Sequence, residues 1–107
     1  FETAFLANDG QTLLMAFSTK KGSDEDDLYV STQDKKGAWS KPTNLGRDVN
    51  TDKFTETTPF LASDGVTLYF SSNRDGGLGS NDIYVTRRLD NTWTKWTRPI
   101  TVGPPIN

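Results

Sequence analysis

The chain contains no cysteine and no histidine. Without cysteine there is no disulfide framework and no cysteine-based zinc site. Without histidine the commonest general base and the commonest metal ligand are missing together. An excess of positive charge is also lacking. The formal net charge is -2 and the charges are interspersed, so no surface suited to duplex nucleic acid is expected. No apolar run approaches the roughly 18–20 residues needed to cross a bilayer, and no direct membrane insertion is expected. Nor does any stretch show a capped helical period. Apolar residues make up 33% of the chain, low for an isolated globule. That suits a β protein with many exposed loops, or a piece of something larger. The start, Phe1-Glu2-Thr3, lacks an initiating Met and is not a signal peptide, so a processed or excised piece is expected.

What is present is an internal repeat, which decides the fold. At a shift of 55, Phe5-Leu6-Ala7 lands on Phe60-Leu61-Ala62, Asp9-Gly10 on Asp64-Gly65, and Thr12-Leu13 on Thr67-Leu68. Gly22, Asp27 and Tyr29-Val30 land on Gly77, Asp82 and Tyr84-Val85. Further on the shift becomes 57, with Trp39-Ser40-Lys41-Pro42 on Trp96-Thr97-Arg98-Pro99 and Val49-Asn50 on Ile106-Asn107. Two residues are therefore inserted between Tyr84 and Trp96. The expected units are 1–50 and 56–107, joined by a linker at 51–55.

Each unit reads as four short β runs. In the first they are Thr3–Ala7, Leu13–Ser18, Leu28–Thr32 and Trp39–Leu45. In the second they are Pro59–Ala62, Thr67–Ser72, Asp82–Leu89 and about Thr94–Val102. Pro59 should limit pairing at the start of its strand. The structural turns are Asp9-Gly10 and Asp64-Gly65, because Asp-Gly between apolar runs is a strong hairpin signal. Four antiparallel strands repeating at about fifty residues are the pattern of a propeller blade. The fold class expected is all-β: two four-stranded antiparallel blades, part of a larger propeller. A blade is apolar on both faces and must stack on neighbours, so two blades leave two faces bare. Further blades are needed, from other copies of the chain or from a longer chain.

The residues Phe60-Leu61-Ala62-Ser63-Asp64-Gly65-Val66-Thr67-Leu68-Tyr69-Phe70-Ser71-Ser72 and Gly76-Gly77-Leu78-Gly79-Ser80-Asn81-Asp82-Ile83-Tyr84-Val85 resemble the WD-like β-propeller repeat of the TolB type. The segment Trp39-Ser40-Lys41-Pro42-Thr43-Asn44-Leu45-Gly46, running on through Val49-Asn50-Thr51, is similar to a variant in bacterial envelope proteins, where the propeller often precedes an OmpA-like domain. The resemblance spans essentially the whole chain. It implies a six-bladed ring, which three copies would supply. It also implies a periplasmic or outer-membrane-associated scaffold that binds protein partners. Unit one departs from the pattern: Ala4 stands for the proline, Leu14-Met15-Ala16-Phe17 for the Leu-Tyr-Phe-Ser core, and Lys20–Asp26 lacks the glycines.

Antiparallel strands place the loops at 20–26, 50–56 and 73–81 at one end of the sheets, and binding sites favour loops held on a rigid scaffold. Asn73, Arg74, Asp75, Lys53 and Glu56 are the candidate partner contacts, against the plain reading of solvated loop residues. Asp24, Glu25, Asp26 and Asp27 cluster oxygens, but without the alternating spacing and central glycine of a Ca²⁺ loop. No metal and no cofactor is therefore expected. Asp27 and Asp82 read as acceptors for backbone hydrogen bonds. The glycines at 76, 77 and 79 precede neither a helix nor a Lys-Ser or Lys-Thr pair, so phosphate cradling there is weak. Trp39 and Trp96 are equivalent and read as packing residues. Trp93 has no counterpart in unit one and is the candidate for stacking on a sugar. No two carboxylates pair recognisably for glycoside hydrolysis, a nucleophilic serine would lack a histidine, and Ser63-Asp64-Gly65 lacks the Ser-x-Asp-x-Gly frame of an Asp box. The expectation is a non-enzymatic scaffold. The alternatives are a lectin-like propeller and the propeller part of a larger hydrolase or peptidase.

Overall fold

The computed structural model describes residues 3–18, 26–50, 55–74 and 82–102. Within them the chain forms two four-stranded antiparallel sheets, and no helix occurs among the described residues. The first sheet holds β1 (Thr3–Leu6), β2 (Thr12–Phe17), β3 (Asp27–Thr32) and β4 (Thr43–Asn44). The second holds β5 (Glu56–Leu61), β6 (Thr67–Ser72), β7 (Asp82–Arg87) and β8 (Ile100–Thr101). Each is a meander whose spatial order is its chain order. Leu6 pairs with Leu13 and Leu61 with Leu68, and Thr12 pairs with Thr32 and Thr67 with Arg87. Val30 pairs with Thr43 and Val85 with Ile100. The second register is thus the first displaced by 55, and by 57 along the last strand.

The two first hairpins close alike. Gly10 and Gly65 sit at φ of +69° and +71°, a region an L side chain enters only at a cost. Asp9 accepts from the Gln11 N–H at 2.8 Å and from the Thr12 hydroxyl at 2.9 Å. Asp64 accepts from the N–H groups of Val66 and Thr67 at 2.8 and 2.9 Å, and from the Thr67 hydroxyl at 2.8 Å. The backbone N–H of Gln11 is the main cause that holds the Asp9 carboxyl below its ordinary range, and that of Thr67 does the same for Asp64. A carboxyl with a lowered folded-state pKa stabilises the fold above the unfolded pKa of about 3.9, and that contribution is lost as pH falls through the folded value. Melting curves across pH 5 to 2 should therefore show a loss on the acid side that is smaller in the double variant Asp9→Asn, Asp64→Asn.

β5 and the last strand of each unit differ from the sequence reading, and proline is involved in all three. β5 begins three residues before Pro59 and runs through it. The pairing slips between Thr57 and Phe60, with Thr58 at φ +53°. A bulge there leaves the proline, which has no N–H, outside the ladder. The last strand of each unit is only two residues long rather than the seven to nine expected. Its outer part is an isolated bridge, Gln33 with Trp39 and Arg88 with Trp96. Pro42 and Pro99, each just before the strand, interrupt the ladder. A hydroxyl fills the gap in both sheets: Ser40 Oγ accepts the Thr32 N–H at 3.0 Å, and Thr97 Oγ1 accepts the Arg87 N–H at 2.9 Å.

One core lies between the sheets. Phe5, Leu14, Ala16, Leu28 and Val30 of the first sheet meet Leu61, Leu68, Phe70 and Tyr84 of the second. β5 lies across β1, β2 and β3, and the Glu56 N–H donates to the Asp26 carbonyl at 2.9 Å. The two facing surfaces are not equivalent surfaces. At the shift of 55, Leu14, Ala16, Leu28 and Val30 correspond to Tyr69, Ser71, Ile83 and Val85, which alternate with the core residues and point away from the first sheet. Leu68, Phe70 and Tyr84 correspond to Leu13, Met15 and Tyr29, on the far side of the first sheet. The sheets therefore stack front to back, not face to face.

Candidate functional site

The described parts of the three loops expected to share one end do come together. The Thr55 N–H donates to Asn73 Oδ1 at 2.8 Å. The Leu28 N–H donates to Asn50 Oδ1 at 2.7 Å, and Asn50 Nδ2 donates to the Leu28 carbonyl at 2.9 Å and to Asn44 Oδ1 at 2.8 Å. Asn50, itself buried, thus ties the end of unit one to the start of β3.

At the centre stands an ion pair. Glu56, the first residue of β5, is 0% exposed, and its Oε2 lies 3.5 Å from Arg74 Nη2. Ser72 Oγ donates to the same Oε2 at 3.1 Å and accepts from Arg74 Nε at 3.0 Å and from the Arg74 N–H at 3.2 Å. Arg74 Nη2 also donates to the Val49 carbonyl. Its guanidinium lies 5.1 Å from the centre of the Phe70 ring and 5.0 Å from that of Tyr84, a cation–π arrangement. Burial pushes the Arg74 pKa down, and Glu56 opposes that shift. Glu56 and Arg74 are thus turned to each other. Glu56 offers no surface to a partner, and Asn73 is exposed beside them. Lys53 and Asp75 lie outside the described residues, as do Asp24, Glu25 and the glycines at 76, 77 and 79.

Asp26 and Asp82 are buried at this end of the sheets and Asp27 is half-buried. Among the described residues no group of three or more potential ligands gathers for a metal.

The tryptophans separate sharply. Trp96 is 2% exposed and belongs to the core. Its N–H meets Asp48 Oδ2 at 3.3 Å, and its Nε1 donates to the Trp93 carbonyl at 2.8 Å. Trp39, its equivalent, is 43% exposed. Trp93 sits at φ +70° and carries the Arg88 guanidinium 3.8 Å from its ring centre. That ring face is already occupied by a cation, and the Trp93 backbone and ring brace Trp96. Next to this brace the loop at 45–49 crosses the second sheet. A Cβ on Gly46, at φ +91°, would lie 2.8 Å from the Thr94 carbonyl oxygen, so only glycine lets the loop come this close.

Beside that loop a cleft of about 610 Å³ opens between unit one and β7–β8, lined by Arg47, Asp48, Arg74, Tyr84, Arg98 and the 99–101 backbone. The sequence reading named Arg74 of this group and missed Arg47 and Arg98. A signal was available for Arg47: Arg47-Asp48 stands where unit two has Pro104-Pro105, so the blade pattern does not require these charges, whereas Arg98 stands where unit one has Lys41 and carries no such mark.

Comparison with protein-family models, with curated proteins and with solved structures found no match to this chain.

Proposed function

We propose that the chain is two blades of a β-propeller that serves as a non-enzymatic protein-interaction scaffold, of the TolB-like kind found in the bacterial envelope. The observation that carries the reading is the front-to-back stacking of two sheets with one register. Such a contact is heterologous, and heterologous contacts repeat from unit to unit, forming a ring where the rotation closes. The outer side of the second sheet, with Tyr69, Ile83, Val85 and the exposed Phe60 and Ile100, corresponds to the side of the first sheet that is already packed. The far side of the first sheet carries Leu13, Met15, Phe17 and Tyr29, with Phe17 stacked flat on Tyr29 at 4.2 Å. It corresponds to the packed side of the second. Met15 and Tyr29 are already buried there and Leu13 and Phe17 half-buried, yet each outer side has the residue pattern that fits the other, and further blades extend the stack.

The exposed loop end around Asn73 is the surface offered to a protein partner, with the Glu56–Arg74 pair holding it in shape. A pull-down from envelope extract should retain a discrete protein that the Asn73→Ala, Asp75→Ala variant releases. A glycan array that binds the chain, with no protein retained, would overturn the scaffold reading in favour of a lectin.

A further inference from the structure

We propose that the cleft lined by Arg47, Arg74 and Arg98 is a binding site for a phosphomonoester that carries a neighbouring hydroxyl, such as a sugar phosphate. All of its lining belongs to one chain, so the proposal does not rest on ring closure.

Three guanidinium groups line the cleft, while the chain as a whole is acidic, at net charge -2. Among the described residues two carboxylates stand against them, Asp48 in the wall and Glu56 behind Arg74. Arg47 and Arg98 are exposed, and neither is held in an ion pair among the described residues. Arg74 is different. Its Nε and Nη2 are committed to Ser72, Val49 and Glu56, and it lies over the adjacent rings of Phe70 and Tyr84. Its Nη1 has no partner among the described residues. One guanidinium is thus held in place, and two exposed cations stand beside it in the same cleft. A guanidinium matches an oxyanion in shape and keeps its charge when partly buried. A carboxylate offers two oxygens, which two guanidinium groups satisfy. A phosphate monoester offers three terminal oxygens and nearly two charges at neutral pH, which suits three.

Asp48 sets the second half of the ligand. Its Oδ2 accepts the Trp96 N–H, and its Oδ1 accepts no bond among the described residues. Beside an anion, a free carboxylate oxygen repels a second negative group and accepts from a hydroxyl. The cleft volume of about 610 Å³ falls within the roughly 300–1,000 Å³ of small-molecule sites. The site is also not a by-product of the repeat, because the prolines of unit two stand where Arg47 and Asp48 stand in unit one.

The test is calorimetric titration of the full chain with inorganic phosphate, glucose 6-phosphate and glucose. The expected result is saturable binding of both phosphates, tighter for glucose 6-phosphate, with no response to glucose. Arg47→Gln combined with Arg98→Gln changes only exposed side chains, so an unchanged melting temperature is expected to accompany a Kd at least tenfold weaker for both phosphates. Asp48→Ala should remove the preference for glucose 6-phosphate over inorganic phosphate while raising affinity for the latter. Non-saturable binding, equal binding of glucose, or an affinity untouched in the double arginine variant would each overturn the proposal.

Discussion

Trp96→Ala is expected to cost about 3–5 kcal/mol, the range for emptying a large aromatic from a packed core. Trp39→Ala, the same change at the equivalent position, should cost well under 1 kcal/mol in a dilute single chain. The contrast arises because the loop at 45–49 and the Trp93 brace cover Trp96, whereas Trp39 stands 43% exposed. For a chain of this size each kcal/mol moves the melting temperature by roughly 4–8 °C, so Trp96→Ala should lower it by more than about 10 °C. In a stacked assembly Trp39 occupies the position of Trp96 against the preceding unit. There Trp39→Ala should weaken association while leaving the fold of each chain intact. Chemical denaturation of dilute samples, run beside sedimentation at high concentration, separates the two effects. Equal losses of folding stability for both variants would mean that the asymmetry between the tryptophans is not a matter of cover.

The second large effect lies at the ion pair. Arg74→Met takes from the Glu56 carboxylate, 0% exposed, the guanidinium that stands 3.5 Å from it. Glu56→Leu leaves a largely buried guanidinium without its counter-charge. Breaking a buried pair from one side costs about 3–5 kcal/mol, whereas replacing both partners by apolar groups is often close to neutral. The double variant should therefore recover at least half of either single loss, and a thermodynamic cycle should return a coupling of about 2 kcal/mol or more. Full recovery is not expected, since Arg74 also holds the Val49 carbonyl and Ser72. Additive single losses would show that the two side chains act independently.

The parts of this fold legible in the sequence are those fixed by local chemistry. Asp-Gly closes both hairpins because an aspartate can bond its own backbone and a glycine can take positive φ. Alternating apolar residues placed β2, β3, β6 and β7 within a residue or two of their ends. The long pairing of the fourth strands was misjudged, since Pro42 and Pro99 lack the donor that a continuous ladder needs. β5 started earlier than expected because a bulge at Thr58 removes Pro59 from the ladder. The sequence reading takes Glu56 and Arg74 as separate partner contacts and not as a buried pair, because a charge carries no mark of burial in one sequence. A hint existed: Glu56 and Ser72 are polar where the equivalent residues, Phe1 and Phe17, are apolar. Two positions that change character together are neighbours in the register. Front-to-back stacking was not legible, because period-two alternation shows that both sides are apolar and not which side meets which.

The most direct test is the mass of the folded chain in solution, measured by light scattering or sedimentation over a wide concentration range. Stacking that leaves an apolar outer side on each sheet, each patterned to fit the other, predicts a discrete closed assembly of several chains, with three giving a ring of six sheets. A monodisperse, cooperatively folding monomer at every concentration would contradict it.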